Sequence, residues 1–336
     1  MTRSRCSHFA ALLAVQLIFA ASVQATGFSS IVVFGESTSD VGNTLLLTGS
    51  ADWNPSDPLP TEPVSPLYHA GRWSNGAVWV ETLAERLGLP IPAPSLAADG
   101  GTNYAYSDAR FGAGTDARYS VWDGQKLGPP RVPSIGSQIG QHALSFGGIA
   151  EDQLVVVWGG GNDVIFARKE RDIVAAVAAV SAHIQTLVGL GATHILVPNQ
   201  FDVSKAPAFS GLPEEERTLL RAAVAGFNGL LALRLYETQQ EYGDSVTIYP
   251  VDFFTLGEQV LSLQAGCGFI DNTRPGLLVY LQALNGGAPV QLSDFNGFVF
   301  WDTVHPTEAV HDLLAAAALH TLEVGPGAVD CSTLLP

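Results

Sequence analysis

Three short segments of this chain carry side chains suited to nucleophilic acyl chemistry. Phe34-Gly35-Glu36-Ser37-Thr38-Ser39-Asp40-Val41-Gly42-Asn43 places a serine directly behind a β-branched run. A serine in a strand-to-helix turn acts as a nucleophile when a base reaches it, and a helix N-terminus beside it offers N–H groups and a positive dipole. Phe300-Trp301-Asp302-Thr303-Val304-His305-Pro306-Thr307 holds an acid and a histidine three residues apart. In a turn the two can meet, so that Asp302 fixes one tautomer of His305 and stabilises its protonated form. Gly159-Gly160-Gly161-Asn162-Asp163 combines glycines, which let a backbone approach a ligand, with an amide able to donate to an oxyanion. Each segment also has a plain structural reading. Ser37 or Asp40 can cap one helix, and Asp302 or His305 another.

Rival motifs are incomplete. No lysine followed by Ser or Thr completes a phosphate loop after Gly159-Gly160-Gly161. Gly112-Ala113-Gly114-Thr115-Asp116-Ala117 imitates a dinucleotide fingerprint, but it follows no strand and opens no convincing helix. The Gly-x-Ser-x-Gly elbow is absent. His183 and His194 fall in a helical and a strand pattern, where packing or surface roles are expected. His311 lies on another helix face from His305, which argues against a shared metal site. Trp53, Tyr68 and Trp73 flank a proline-rich stretch, as a substrate wall or as anchors of a long loop.

The elements that must position these groups alternate. Ser30–Phe34, Leu154–Trp158, His194–Val197 and Ser245–Val251 are short, continuous apolar runs, the pattern of buried strands. Between them, helices are expected over Asn75–Leu87, over Asp172–Leu190 before Gly191, and over Pro213–Tyr242, which three glutamates open. Pro306–Leu322 closes the series, with proline near its first turn. Residues 51–72 and about 90–133 are rich in proline or glycine and read as loops. There is no internal repeat and no composition break. The expectation is one α/β domain around a parallel sheet, its site at the carboxyl edges of the strands.

The first 25 residues stand apart. Arg3 and Arg5, an apolar run from Phe9 to Ala20, and Val23-Gln24-Ala25 form the pattern of a signal peptide cleaved near Ala25. The domain is then 26–336, and a secreted protein, extracellular or periplasmic, is expected. No stable membrane anchor is expected, because that run is short for a bilayer. Of 336 residues, 47% are hydrophobic and 14% charged, with 16 Lys+Arg against 32 Asp+Glu and a net charge of −16. Losing Arg3, Arg5 and no acid moves that charge to −18. Such a chain is neither disordered nor a general binder of nucleic acid. Cys267 and Cys331 remain after cleavage, a disulfide pair in an oxidising compartment or two free thiols. No zinc spacing occurs, and neither metal nor cofactor is expected.

Together the blocks resemble the SGNH hydrolases, also called GDSL-type esterases and lipases. Gly35-Glu36-Ser37 with Asp40, Gly42 and Asn43 is similar to the first block, and Gly101-Thr102-Asn103-Tyr104-Ala105 to the start of the second. Gly160-Gly161-Asn162-Asp163 is similar to the third, and Asp302-x-x-His305-Pro306 to the last. Arg72-Trp73-Ser74-Asn75-Gly76 and Val197-Pro198-Asn199 also resemble family members. The resemblance implies a flavodoxin-like doubly wound parallel sheet between helices. It implies a carboxylic ester hydrolase acting through an acyl-enzyme on Ser37, with His305 as general base and acid and Asp302 orienting it. It implies an oxyanion hole of the Ser37 N–H, the Ser107 N–H and the Asn162 side chain. Lipid, short-chain or aryl esters are the expected substrates. A carbohydrate O-acetyl esterase, or a catalytically silent binding protein, is the alternative. Two departures stand out: Glu36 replaces the family's aspartate, which should perturb loop packing more than chemistry, and Ser107 occupies the place of the oxyanion glycine.

Overall fold

Four of the apolar runs are strands of one parallel sheet. The computed structural model describes residues 27–49, 62–112, 115–116 and 132–334. The expected leader, Trp53 and half of the Gly112–Ala117 motif lie outside these residues. Strands β1 (Ser30–Gly35), β4 (Gln153–Trp158), β5 (His194–Pro198) and β6 (Thr247–Val251) pair in the order β1-β4-β5-β6. Two further two-residue strands, β2 (Thr115–Asp116) and β3 (Val132–Pro133), form a small antiparallel ribbon. Residues 102–106 run along the free edge of β1. There the Val33 N–H donates to Thr102 O at 2.9 Å, and the Tyr104 N–H to Val33 O at 2.8 Å. The chain therefore moves outward from β1, crosses back to β4 and continues the other way, which makes the sheet flavodoxin-like. Connections reverse between β1 and β4, and at such a switch point the carboxyl edges leave a crevice for a ligand.

Both faces of the sheet are covered, which is why its strands lack polar alternation. Ile31, Val33, Leu154, Val156 and Val251 face α2 (Trp79–Arg86), α7 (Phe253–Leu261) and α9 (Glu308–Val324). Val32, Phe34, Val155, Val157 and Ile195 face α3 (Ile135–Phe146), α5 (Glu170–Gly189) and α6 (Glu214–Tyr242). Ile173, Val177, Val180, Ile184 and Leu187 of α5 recur at helical spacing and are buried. Each fully buried aliphatic side chain contributes about 1.5–3 kcal/mol. By length and composition alone α5 and α6 could cross a membrane, but their apolar sides lie on the sheet.

Some boundaries differ from the sequence expectation. Helix α2 begins at Trp79, because Asn75 is engaged elsewhere: its Nδ2 donates to Leu292 O and Asn296 Oδ1, and its Oδ1 accepts the Glu308 N–H. Helix α9 begins at Glu308 behind Thr307, so Pro306 precedes the helix and His305 is not its cap. Helices α3 and α7 and α8 (Gly276–Asn285) arise where no periodic pattern was read. Cys267 and Cys331 are joined in a disulfide, with Cα atoms 5.3 Å apart, tying the C-terminal segment to the stretch after α7.

Candidate active site

Ser37 leaves the carboxyl edge of β1 as the first residue of a 3-10 turn, Ser37–Ser39, and is 8% exposed. The turn is fixed from behind. Asp40 is buried, and its carboxylate accepts the N–H groups of Gly42, Asn43 and Thr44 at 2.8, 2.7 and 3.1 Å. Burial pushes the Asp40 carboxyl above its ordinary value, against those hydrogen bonds and one from the Thr44 side chain. Asn43 Nδ2 donates to Asn103 O and Ala105 O, and Asn103 Nδ2 to Ser39 O, so the first two blocks hold each other. Among the described residues no hydrogen bond occupies the Ser37 hydroxyl. A buried serine with a free hydroxyl at a strand end is available to a substrate, so helix capping does not account for it.

Asp302 and His305 meet as their spacing suggests. His305 Nδ1 lies 2.7 Å from Asp302 Oδ2, while Asp302 Oδ1 accepts the N–H groups of Val304 and His305 at 2.9 and 2.8 Å. Burial raises the proton affinity of Asp302, but the charge of His305 and these hydrogen bonds outweigh it and hold the carboxyl below its ordinary range. An ionised carboxylate only accepts, so in the neutral imidazole the proton sits on Nδ1 and the lone pair on Nε2. Ser37 and His305 share no hydrogen bond here. Such contacts often tighten only in the substrate complex. The two segments are tied through α2. Trp79 Nε1 donates to Ser39 Oγ at 3.0 Å, and the Trp79 N–H to His311 Nδ1 of α9 at 3.3 Å.

Asn162 stands in the first turn of α4 (Gly161–Phe166), the helix that follows β4. Gly160 before it has φ +117°, and a Cβ there would run into the Phe227 ring, so this turn requires glycine. Both hydrogens of the Asn162 amide are taken, one by Glu36 Oε2 at 2.9 Å and one by Ala109 O at 3.2 Å. Glu36 also accepts the Gly161 and Asn162 N–H groups at 3.2 and 3.3 Å. Glu36, expected to perturb loop packing more than chemistry, is thus a hydrogen-bond partner of Asn162. Burial, then the charge of Asp163, raises the Glu36 pKa to about 8 against those hydrogen bonds. Ser107 is buried and its N–H donates to Thr44 Oγ1 at 2.9 Å. The left-handed residue in this block is Asp108, at φ 64°, so Ser107 is not strained.

Two aromatic residues read only as wall or anchor lie on the acid–histidine pair. Tyr68 Oη donates to Asp302 Oδ2 at 2.8 Å, and the Trp73 ring covers His305 with centroids 5.1 Å apart. The motif Arg72-Trp73-Ser74-Asn75 was the available signal; which acid Tyr68 reaches was not in it. A cavity of about 70 Å³ opens beside the turn that carries His305, lined by Phe201, Phe209, Leu256, Val260, Val304 and Pro306 among others. Its surface is almost wholly apolar. Among the described residues no cluster of His, Cys, Asp or Glu is arranged to hold a metal.

Residues 31–318 match the family described as GDSL-like Lipase/Acylhydrolase. The chain is 26% identical over 316 residues to the thermolabile hemolysin of Vibrio parahaemolyticus, covering 90% of this chain and 65% of that protein, a little under two thirds of its length. It is 25% identical to a GDSL esterase/lipase of Arabidopsis thaliana, over 88% of this chain and 86% of the relative. With the phosphatidylcholine-sterol acyltransferase of Aeromonas hydrophila it shares 26% identity, over 92% and 94% of the two chains.

Proposed function

This chain belongs to the GDSL-like lipase and acylhydrolase family and is a carboxylic ester hydrolase, and we propose that it works through an acyl-enzyme on Ser37. The observation that carries the proposal is the 2.7 Å contact of His305 Nδ1 with an ionised Asp302, together with a Ser37 hydroxyl that no hydrogen bond occupies among the described residues. Ser37 Oγ attacks the ester carbon while its proton passes to His305 Nε2, and Asp302 stabilises the imidazolium. The tetrahedral intermediate collapses, the C–O bond to the alcohol breaks, and His305 returns the proton to the departing oxygen. Water then repeats the sequence and releases the acid.

The oxyanion is received by the Ser37 N–H, with Asn162 turning an N–H from Ala109 O and Ser107 exchanging Thr44 Oγ1. Each donor so placed is worth roughly 3 kcal/mol in the transition state. The apolar cavity beside Val304 and Pro306 favours lipid, short-chain or aryl esters over acetylated carbohydrate, whose hydroxyls it offers almost no partner. Export after cleavage near Ala25, leaving a 26–336 domain, is part of the same reading, and the Cys267–Cys331 disulfide supports it.

Ser37→Ala should lower hydrolysis of a short-chain aryl ester by roughly 10⁴-fold or more with the thermal midpoint unchanged. Unchanged turnover would sink the assignment, as would failure of the parent chain to react with a serine-directed phosphonate. A panel of acyl chain lengths with acetyl-xylan should show preference for the apolar esters.

A further inference from the structure

Tyr68 and Asp302 are 234 positions apart, yet the phenol reaches the very oxygen that His305 uses. Asp302 Oδ2 has Tyr68 Oη at 2.8 Å and His305 Nδ1 at 2.7 Å, while Oδ1 is filled by two backbone N–H groups. Two donors therefore divide the charge of one oxygen. The direction of the bond is settled by both partners. Asp302 is held ionised, and burial, then the Asp302 charge, push the Tyr68 phenol above its ordinary pKa, so the phenol stays protonated and donates. The ring is braced edge-on by Trp301 and Trp73, at centroid separations of 6.4 and 5.7 Å. Trp73 in turn covers His305. A phenol so confined cannot swing away from the carboxylate without disturbing the stack.

We propose that Tyr68 is a positioning residue of the Asp302–His305 pair that limits how tightly His305 holds its proton. The inference rests on the reading of Ser37, Asp302 and His305 given above. A donor on Oδ2 withdraws negative charge that would otherwise stabilise the imidazolium, so His305 becomes a free base at lower pH than it would with Asp302 alone. The same bond fixes the rotation of the carboxylate, and with it the plane of the imidazole. Other titratable groups face this assembly from two sides. Glu62 acts on Tyr68 from the start of the same loop. His311 of α9 feels His305, and burial, then the charge of His305, lower its pKa to about 3, so it stays neutral across the working range.

The test is the pH dependence of kcat/KM for a short-chain aryl ester, from about pH 5 to about pH 9, in the parent and in Tyr68→Phe. The phenylalanine keeps the ring and removes the donor. The acid limb should move up by about half a pH unit or more, with a several-fold lower plateau. An unmoved limb overturns the inference, whatever happens to the plateau or the thermal midpoint, because packing alone would not shift it. Site-specific fluorotyrosine at position 68, a stronger donor in the same fold, should move the limb down, and a limb that stays put or rises there overturns the inference even if Tyr68→Phe does not fold. The two readings separate cleanly. An active Ser37→Ala chain sinks the site, whereas an inactive one with an unmoved Tyr68→Phe limb sinks only the role of Tyr68.

Discussion

Glu36 turns away from solvent and buries its carboxyl against the start of α4, one residue before the proposed nucleophile. Its pKa of about 8 lies above the ordinary 4.5, so between those values the folded chain binds a proton that the unfolded chain has lost. Stability must then fall as pH rises through that window, the reverse of the usual carboxylate in an ion pair. Glu36→Gln cannot titrate. Its stability relative to the parent, from denaturant midpoints, should rise between about pH 5 and about pH 8 whatever the constant offset. A difference independent of pH would refute the raised pKa of the buried Glu36 carboxyl. Ser37, Asn162, Asp302 and His305 were legible in the sequence because each belongs to a motif a few residues long. What Glu36 and Tyr68 touch was not, since those partners lie 126 and 234 positions away and meet only in the fold.

At the scale of elements, the turn from β4 into α4 is the most constrained joint near the site. Gly160→Ala would force a side chain into a left-handed position and against Phe227 of α6. A loss of about 1–3 kcal/mol is expected, read as a lower denaturant midpoint at unchanged slope. A variant as stable as the parent would show that α6 gives way freely. The strands were readable as continuous apolar runs, α5 by apolar residues recurring at helical spacing, and α6 by the three glutamates that open it. Helix α3 was hidden by Gly136, Gly140 and a glycine- and proline-rich approach. Its real signals are the Ser134 hydroxyl accepting the Ser137 N–H and Gly147 at φ 76°. Helix α7 carries the same kind of mark, Asp252 accepting the Thr255 N–H. The start of α9 was misplaced because Pro306 suits a first turn, whereas Asn75 from a distant loop binds the Glu308 N–H and fixes the helix there.

Across the whole molecule, the disulfide closes a loop between two cysteines 64 positions apart. Restricting the unfolded chain in this way is worth about 4 kcal/mol in the loop-entropy account. The double change Cys267→Ser and Cys331→Ser should cost a few kcal/mol of that amount in denaturant unfolding, and no loss would place the bridge outside the cooperative fold. That loop contains Asp302, His305 and all of α9, while Ser37 stands at the opposite end of the described chain. The separation has a temporal meaning. A polypeptide emerging N-terminus first presents its nucleophile long before its base exists, and β1 cannot pair with β4 until more than a hundred further residues have followed. On the proposed roles, every partly made chain is chemically mute. On those roles the nucleophile stays without its base until the segment that carries Asp302 and His305 has been made and α9 has docked beside α2.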